Sequence, residues 1–450
     1  MSACFACIAL DNTKLVAALP ALARVSGASP ILQRWTIEAS LLVYASLLLL
    51  GGSLSERFGA RSVLLLGLCG FAGASVAGAC AGSGYCLIAA RAASGAATAC
   101  MTPATLATLK HSFDDRERPT AIAVWTASFG VGAALGPVLA GLLVDHGISA
   151  VLLANLPPIA LCVWGSLRLV PADLPRHDRP LDFRGASLCL AAAACGLFAI
   201  LSGPTHGWFS FEVVSSAIVG AGCLALALNW LRRARHPLID LTLFAQERFA
   251  KALLVIFLAY FAFSGVSFVL AQYLQLARGK ATLHAGLLSL PLASSLLLGT
   301  LIAPRLTLHW RAERALGISL SVAFLGAALV SAASYVQSDL LLCLSLAPFG
   351  AGCGSAFATA TELVLGSVSQ QRAGTAAAVS ESAFEFGGVL GVAVLSTLLG
   401  SASISETSVA ELTPRALGSA ALAVLFAWLV ALGLSRSVAA RATPSECSDP

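Results

Sequence analysis

The stretch Ala373 to Leu395 carries two acids, Glu381 and Glu385, in a run otherwise apolar enough to span a bilayer. Four residues apart on a helix, they project from one face, one turn above the other. A carboxylate at that depth is costly, so it faces a cavity or a partner and often titrates as part of a mechanism. Gly387, Gly388 and Gly391 follow, giving a smooth face for close helix packing. Such a helix can bind a cation and exchange it for protons. Glu38 and Asp11 are further acids inside apolar runs, and Lys14 and Arg91 are the bases found there. At i,i+3, Lys14 could pair with Asp11 and neutralise it. A structural ion pair with a buried base is the competing reading of Glu38 and of Glu381 with Glu385.

The elements that must position these residues are membrane-spanning helices. Charged residues make up 11% of the chain and hydrophobic ones 58%, with a mean hydropathy of +0.86. A soluble domain carries about 25% charged residues. The composition therefore excludes a water-soluble globule and points to a polytopic, all-α integral membrane protein. Hydropathy divides the chain into fourteen spans, near 3–23, 35–54, 62–81, 85–108, 119–143, 148–169, 185–204, 211–231, 250–276, 285–306, 315–335, 340–366, 373–399 and 416–435.

The basic residues support that count. Of 27 Lys and Arg residues, twenty fall in the even-numbered connections and the tail, and five in the odd-numbered ones. Lys14 and Arg91 are left inside spans. The positive-inside rule then places both termini in the cytoplasm, in a multi-pass protein of the inner membrane. The net charge of +5 thus belongs to one set of loops, and no nucleic-acid partner is implied. The thirteen cysteines lie mostly in apolar runs without metal-ligand spacing. Cys4 and Cys7 form a CxxC by count, but in a lipid-facing or packed helix. No phosphate loop, HExxH or nucleophile elbow is present, so no cofactor, metal or enzymatic activity is expected.

The chain also repeats itself. WTASFGVGAALGPVLAG from Trp125 aligns with SESAFEFGGVLGVAVLS from Ser380, so that Phe129 meets Phe384, Gly132 meets Gly387 and Gly136 meets Gly391. This implies an N-terminal six-helix bundle over 1–170 and a C-terminal one over 249–436. Between them, 171–248 forms a linker with two inserted spans, and 437–450 is a cytoplasmic tail. Parallel halves with a site near the midplane are a recurring transporter plan.

Several motifs carry a family resemblance. GSLSERFGARSVL, from Gly52, resembles the loop signature GxLaDrxGrkxxl of the major facilitator superfamily. Gly52, Glu56, Arg57, Gly59 and Arg61 occupy its positions, with Glu56 where the family usually has Asp. Physically, Gly52 and Gly59 permit tight turns, and Glu56 can pair with the neighbouring arginines or with a helix end. Arg91 and Gly95 resemble the family motif lxxxRxxqG, whose arginine is implicated in proton coupling. Gly132, Gly136, Pro137 and Gly141 resemble the antiporter motif gxxxGPxxGG. Glycines four apart let backbones approach, and the proline loosens one hydrogen bond. ALDNTKLVAALPAL is similar to LDxTxxNxALP of fourteen-span drug:proton antiporters, with Lys14 a departure. Glu38 after Trp35, and SESAFEFG around Glu381 and Glu385, resemble the quaternary-ammonium and methyl-viologen efflux pumps. AQYLQ, with Gln272 and Gln275, also fits.

The resemblance implies the major-facilitator fold, with two six-helix bundles plus two inserted helices. It implies a monomeric secondary transporter in contact with membrane lipid, whose partners are protons and a small-molecule substrate. Its implied activity is proton-coupled export of lipophilic, cationic drugs. Glu381, Glu385, Glu38, Asp11 and Arg91 would couple protons and bind the cation. Phe129, Phe261, Phe263, Phe384 and Phe386 could wall the cavity. Two alternatives stay open: an exporter of an anionic or zwitterionic compound using Lys14 and Arg91, and a non-transporting membrane receptor or scaffold.

Overall fold

The computed structural model describes residues 1–26, 30–170, 182–234, 237, 239, 241–280, 282–336, 338–398, 417–418 and 421–431. Within these ranges, the side chains of 16–26, 30–34, 137, 144, 204–205, 276, 282–283, 371 and 396 are excepted. The described residues form helices joined by short turns, with no strand among them. In hydrocarbon no water can satisfy a backbone amide, so a long apolar run resolves into a helix that bonds itself.

The helices are α1 (Ser2–Ser26), α2 (Pro30–Phe58), α3 (Ala60–Ala79), α4 (Gly84–Ser112), α5 (Arg118–Leu143), α6 (Gly147–Leu153), α7 (Leu156–Leu169), α8 (Phe183–His206) and α9 (Phe211–Arg233). A short α10 (Thr242–Ala245) precedes α11 (Glu247–Gln272), α12 (Thr282–His309), α13 (Ala312–Val336), α14 (Asp339–Gly366) and α15 (Ala373–Leu398). A last apolar helix, α16, covers Ala421–Ala431. Eleven of the helical segments are long and apolar enough to cross a membrane. With α1, α4 and α16 they correspond to the fourteen expected spans. α4 is long enough, but Arg91, Lys110 and a ladder of threonines dilute its hydropathy.

The sixth span, expected as one helix over 148–169, is two pieces. α6 ends at Leu153 and α7 begins at Leu156, with Pro157 in its first turn. A proline lacks the amide that a continuous helix would need and is tolerated at a helix start. The break leaves Asn155 at the N-cap of α7.

Other helix ends are closed by side chains. Ser83 Oγ accepts from Cys86 N at 3.2 Å at the start of α4. Asp182 Oδ1 accepts from Gly185 N and from Trp230 Nε1, both at 2.8 Å, so one carboxylate caps α8 and ties it to α9. Gly59, at φ 92°, makes the turn from α2 to α3, as the sequence led one to expect. Gly52 does not turn the chain. It lies inside α2, where a Cβ would run into Gly374 and Ala378 of α15.

The chain divides into two compact units, Met1–Leu241 with Val368–Glu385, and Thr242–Ser367 with Phe386–Pro450. In the first, α1 packs on α5, α4 lies between α2 and α3, and α8 pairs with α9. In the second, α14 lies against α11, α12 and α13. The glycines explain how close these helices come. A side chain at Gly132 would strike the carbonyl of Ala6, and one at Gly136 would strike Thr13 and the backbone of Lys14. The equivalent pair in the second unit is α15 on α11: Gly387 and Gly391 sit on the carbonyls of Phe257 and Phe261. Gly95 meets Ser40 between α4 and α2, while Gly299 meets Ala351 between α12 and α14. The repeat read from the sequence is thus a repeat of helix seams within each unit.

Apolar side chains cover much of the outside, with Leu66, Leu142, Ile218, Leu298 and Phe426 all exposed, as lipid-facing helices require. The glycine seams give a direct test. Gly132→Leu and Gly391→Leu are expected to abolish most folded, monodisperse protein in detergent size-exclusion chromatography, because backbone rather than a flexible side chain stands in the way. Gly141→Leu, where a Cβ meets open space, is expected to run as wild type.

Candidate functional site

A buried polar network occupies the middle of the first unit. Asp11 on α1 is 2% exposed, Lys14 one turn later 0%, Arg91 on α4 3% and Asn155 2%. Arg91 Nη1 donates to Asp11 Oδ2 at 2.6 Å. Asn155 Nδ2 donates to the other carboxylate oxygen at 2.7 Å and to Ser75 Oγ on α3 at 3.1 Å. Lys14 Nζ donates to Asn155 Oδ1 at 2.6 Å and stands 3.9 Å from Asp11 Oδ1. Arg91 is steadied further by the Thr36 carbonyl at 3.3 Å and by Asn12 Oδ1 at 3.5 Å.

Lys14 is therefore within ion-pair reach of Asp11, but Arg91 is the closer counter-ion. The geometry has a local cause. Asp11 and Lys14 share the α1 face that lies toward the α6–α7 break, where the Asn155 side chain enters. Gly95, one turn after Arg91, lets α4 lie on α2, which brings the Thr36 carbonyl to the guanidinium. The orientation of the Asn155 amide follows from its partners: its oxygen must face the lysine and its nitrogen the carboxylate.

Glu381 on α15 is 4% exposed, and neither it nor Glu385 has a hydrogen-bond or ion-pair partner among the described residues. The neighbouring Ser380 hydroxyl is fully buried and also lacks one. Glu385, one turn on, is partly exposed. No bond joins the α15 acids to Asp11, Lys14 or Arg91 among the described residues. Glu38 is partly buried on α2, two residues past Thr36.

At the other end of α2, Glu56 Oε1 accepts from Thr375 N at 2.6 Å and so caps the first turn of α15. Arg61 donates to the Leu167 carbonyl at 2.8 Å, near the end of α7, and Arg57 lies over the Phe58 ring at 5.2 Å. Of the antiporter-like glycines, Gly132 and Gly136 seat α5 on α1, whereas Gly141 borders open space. The Pro137 side chain lies outside the described residues.

The aromatic residues are mostly packed against one another. Phe5 stacks on Trp125 at 3.8 Å and meets Phe129 at 5.0 Å, while Phe263 lies against Tyr260, Phe349 and Phe357. Gln272 closes α11 and Gln275 falls in the π-helical turn that follows it. Beyond that turn, Arg278 and Lys280 both hold Asp339, at 3.0 and 2.6 Å. Cys7 approaches Cys162 of α7 at 3.9 Å.

Sequence reasoning missed Asn155 and Ser75. Asn155 had one visible signal, an amide in the otherwise apolar run VLLANLPP next to two prolines.

Buried charges among glycine-packed helices long enough to span a membrane point to a transporter. The chain belongs to the major facilitator superfamily, whose family model matches residues 1–392. It is a transporter and not an enzyme. It is 31% identical to the multidrug efflux pump LfrA of Mycolicibacterium smegmatis, over 96% of this chain and 86% of that protein. It is 30% identical to the methyl viologen resistance protein SmvA of Salmonella typhimurium, over 87% and 80%. To the methylenomycin A resistance protein of Streptomyces coelicolor it is 32% identical, over 82% and 78%. Its fold is similar to that of the human organic anion transporter MFSD10, with a TM-score of 0.69 at 18% identity over 95% of this chain and 98% of that one. The proton:xylose symporter XylE gives 0.64 at 15%, over 94% and 93%.

The network predicts an order of couplings. Asp11→Asn strands two cations in the core and is expected to lower stability by about 3–5 kcal/mol. Double-mutant cycles on purified protein, read by thermal unfolding, are expected to give a larger coupling for Asp11→Asn with Arg91→Gln than for Asp11→Asn with Lys14→Met. The 2.6 and 3.9 Å separations set that order. Equal couplings would mean that Arg91 is not the principal counter-ion.

Proposed function

We propose that this protein exports lipophilic cationic drugs across the cytoplasmic membrane in exchange for protons. The observation that carries the reading is Glu381: a carboxylate 4% exposed, with no protein partner among the described residues, one turn from a second acid. Two acids so placed repel when both are ionised, so they hold protons or share a cation. A cation arriving from the cytoplasm displaces the protons, and protons from outside displace the cation. The names of the relatives, efflux pumps and resistance proteins among them, support export as the direction.

Asp11 and Arg91 are engaged by each other and by Asn155, Thr36 and Asn12, and in this scheme they set the packing of the first unit. Lys14 and Arg91 each donate to a protein group and are buried, which disfavours the alternative in which they receive an anionic substrate. Glu56 at the start of α15 gives that helix a charge-assisted tether that can break and re-form as it moves. The six-helix halves are taken as 1–170 and 249–436, the inserted pair as 171–248, and the working unit as a monomer surrounded by lipid.

Glu385→Gln is expected to abolish proton-coupled efflux of cations while leaving the protein folded and inserted, since the change keeps size and removes only titration. Glu381→Gln is expected to weaken divalent cations more than monovalent ones, because a second positive charge gains most from a second carboxylate. Proton release from purified protein on adding methyl viologen or tetraphenylphosphonium is the measurement. Undiminished release from the Glu381→Gln, Glu385→Gln double variant would move the coupling to Glu38 or Asp11.

Both termini are placed in the cytoplasm by the basic-residue asymmetry. Thiol labelling tests this with Cys447 as the only cysteine, or Ser405→Cys as the only one. Both positions lie outside the described residues. Cys447 is expected to label from the cytoplasm and position 405 from outside. The reverse result would invert the topology.

A further inference from the structure

We propose that Lys14 is a proton-exchanging residue of the first unit and that Asn155 is the positioning residue that keeps it exchangeable. The inference rests on the proton-coupled reading above and deepens it.

The argument begins with charge. The buried network holds two bases, Lys14 and Arg91, and one acid, Asp11, all at most 3% exposed. Among the described residues, the surrounding elements bring no second acid to the lysine. α3 contributes the Ser75 hydroxyl, α2 the Thr36 carbonyl and α5 the bare backbone at Gly136. The α6–α7 turn contributes Asn155, and Cys7 and Cys162 are the nearby thiols. Glu38 on α2 makes no ion pair with Lys14 or Arg91 among the described residues. An unanswered positive charge buried away from bulk solvent is costly. Something in the network must be able to give it up.

Arginine does not release its proton in proteins. Asp11 has both oxygens engaged, one by Arg91 at 2.6 Å and one by Asn155 at 2.7 Å, so protonating it would break a charge-assisted bond. Lys14 is different. Its one short bond, at 2.6 Å, goes to the uncharged amide oxygen of Asn155, and the carboxylate stays 3.9 Å away. An amide oxygen accepts from an ammonium and, more weakly, from an amine N–H, whereas a carboxylate that is protonated loses its charge-assisted bond outright. The lysine can therefore lose a proton to an entering water or hydroxide and still keep an N–H for the Asn155 oxygen.

Asn155 makes this possible. Its nitrogen is committed to Asp11 and Ser75, which turns its oxygen toward Lys14 and holds the amide between base and acid. Without that spacer, Lys14 can close on Asp11 as a tight ion pair and keep its proton.

The test uses full-length purified protein labelled with lysine enriched in 15N at Nζ. The chain has only four lysines, Lys14, Lys110, Lys251 and Lys280, so Lys14→Arg assigns the resonance. The wild-type Lys14 signal is expected to convert between ammonium and amine across the pH range in which the protein stays folded. Asn155→Leu, and the smaller Asn155→Ala should the first not fold, are expected to hold it as ammonium throughout. A wild-type signal that is ammonium at every pH, or a titration that neither Asn155→Leu nor Asn155→Ala moves, would overturn the proposal.

Tetraphenylphosphonium-induced proton release forms the second arm. Lys14→Arg keeps the charge and is expected to release fewer protons per chain than wild type at equal tetraphenylphosphonium binding. Unchanged release would overturn the role of Lys14. Should wild type release no protons at all, the coupled-export reading fails while the Lys14 titration is still decided by the resonance.

Discussion

The structure depends most on the bond between Asp11 and Arg91. A charge inside a membrane protein has no water to fall back on, so the protein itself must answer it. Here a carboxylate on α1 and a guanidinium on α4 meet at 2.6 Å with both groups buried. Around that bond the first unit is arranged. The Thr36 carbonyl of α2, the Ser75 hydroxyl of α3 and the Asn155 amide at the α6–α7 break all turn toward it. Four helices and one helix break thus share a single hydrogen-bonded centre, and shifting one of them disturbs the partners of the others.

The glycine seams connect that centre to the packing. Gly136 of α5 rests on Thr13 and on the backbone nitrogen of Lys14. A slide of α5 along α1 would therefore press on the residue that carries the ammonium. The second unit repeats the seam between α15 and α11 through Gly387 and Gly391. In the first unit the acid stands on α1, the helix that accepts the glycines. Along the repeated sequence the acids Glu381 and Glu385 stand on α15, the helix that supplies the glycines, in the part of it that belongs to the first unit. The same close-packed pair serves opposite ends of the electrostatic design, because a seam constrains backbone spacing and leaves the choice of polar side chain free.

Much of this was legible in the sequence. Composition and the alternation of basic loops gave the spans, since lipid imposes a length and a hydropathy on each helix. Asp11, Lys14 and Arg91 stood out because charge within an apolar run is rare. The closeness of Gly132 and Gly136 to a neighbouring backbone followed from their spacing. What the sequence withheld was the choice of partner. Spacing on one helix made Lys14 the natural mate of Asp11, yet the third dimension brought Arg91 closer, across 80 residues. Gly52 looked like a turn residue and is a packing residue, because a glycine answers either demand and only the neighbouring helix decides. Asn155 was hidden for the same reason: an asparagine beside prolines reads as a cap, and here its side chain serves as a bridge between buried charges.

The two acidic sites differ in the way a transporter needs. Asp11 has every oxygen engaged, so a ligand could gain it only by breaking two short bonds at once. Glu381 has no such engagement among the described residues, and beside it the Ser380 hydroxyl is equally buried and unanswered. Folding leaves a buried polar group unsatisfied only where something offsets the cost, and a site that must bind and release is one such place. A fully satisfied acid holds its helices together, and an unsatisfied one has affinity to spare for a passing cation or proton. On the proposed reading, the chain keeps both kinds in one fold. Rigidity comes from the bond between Asp11 and Arg91, and exchange comes from the looser Lys14 beside it and from α15, whose acids meet no counter-charge among the described residues.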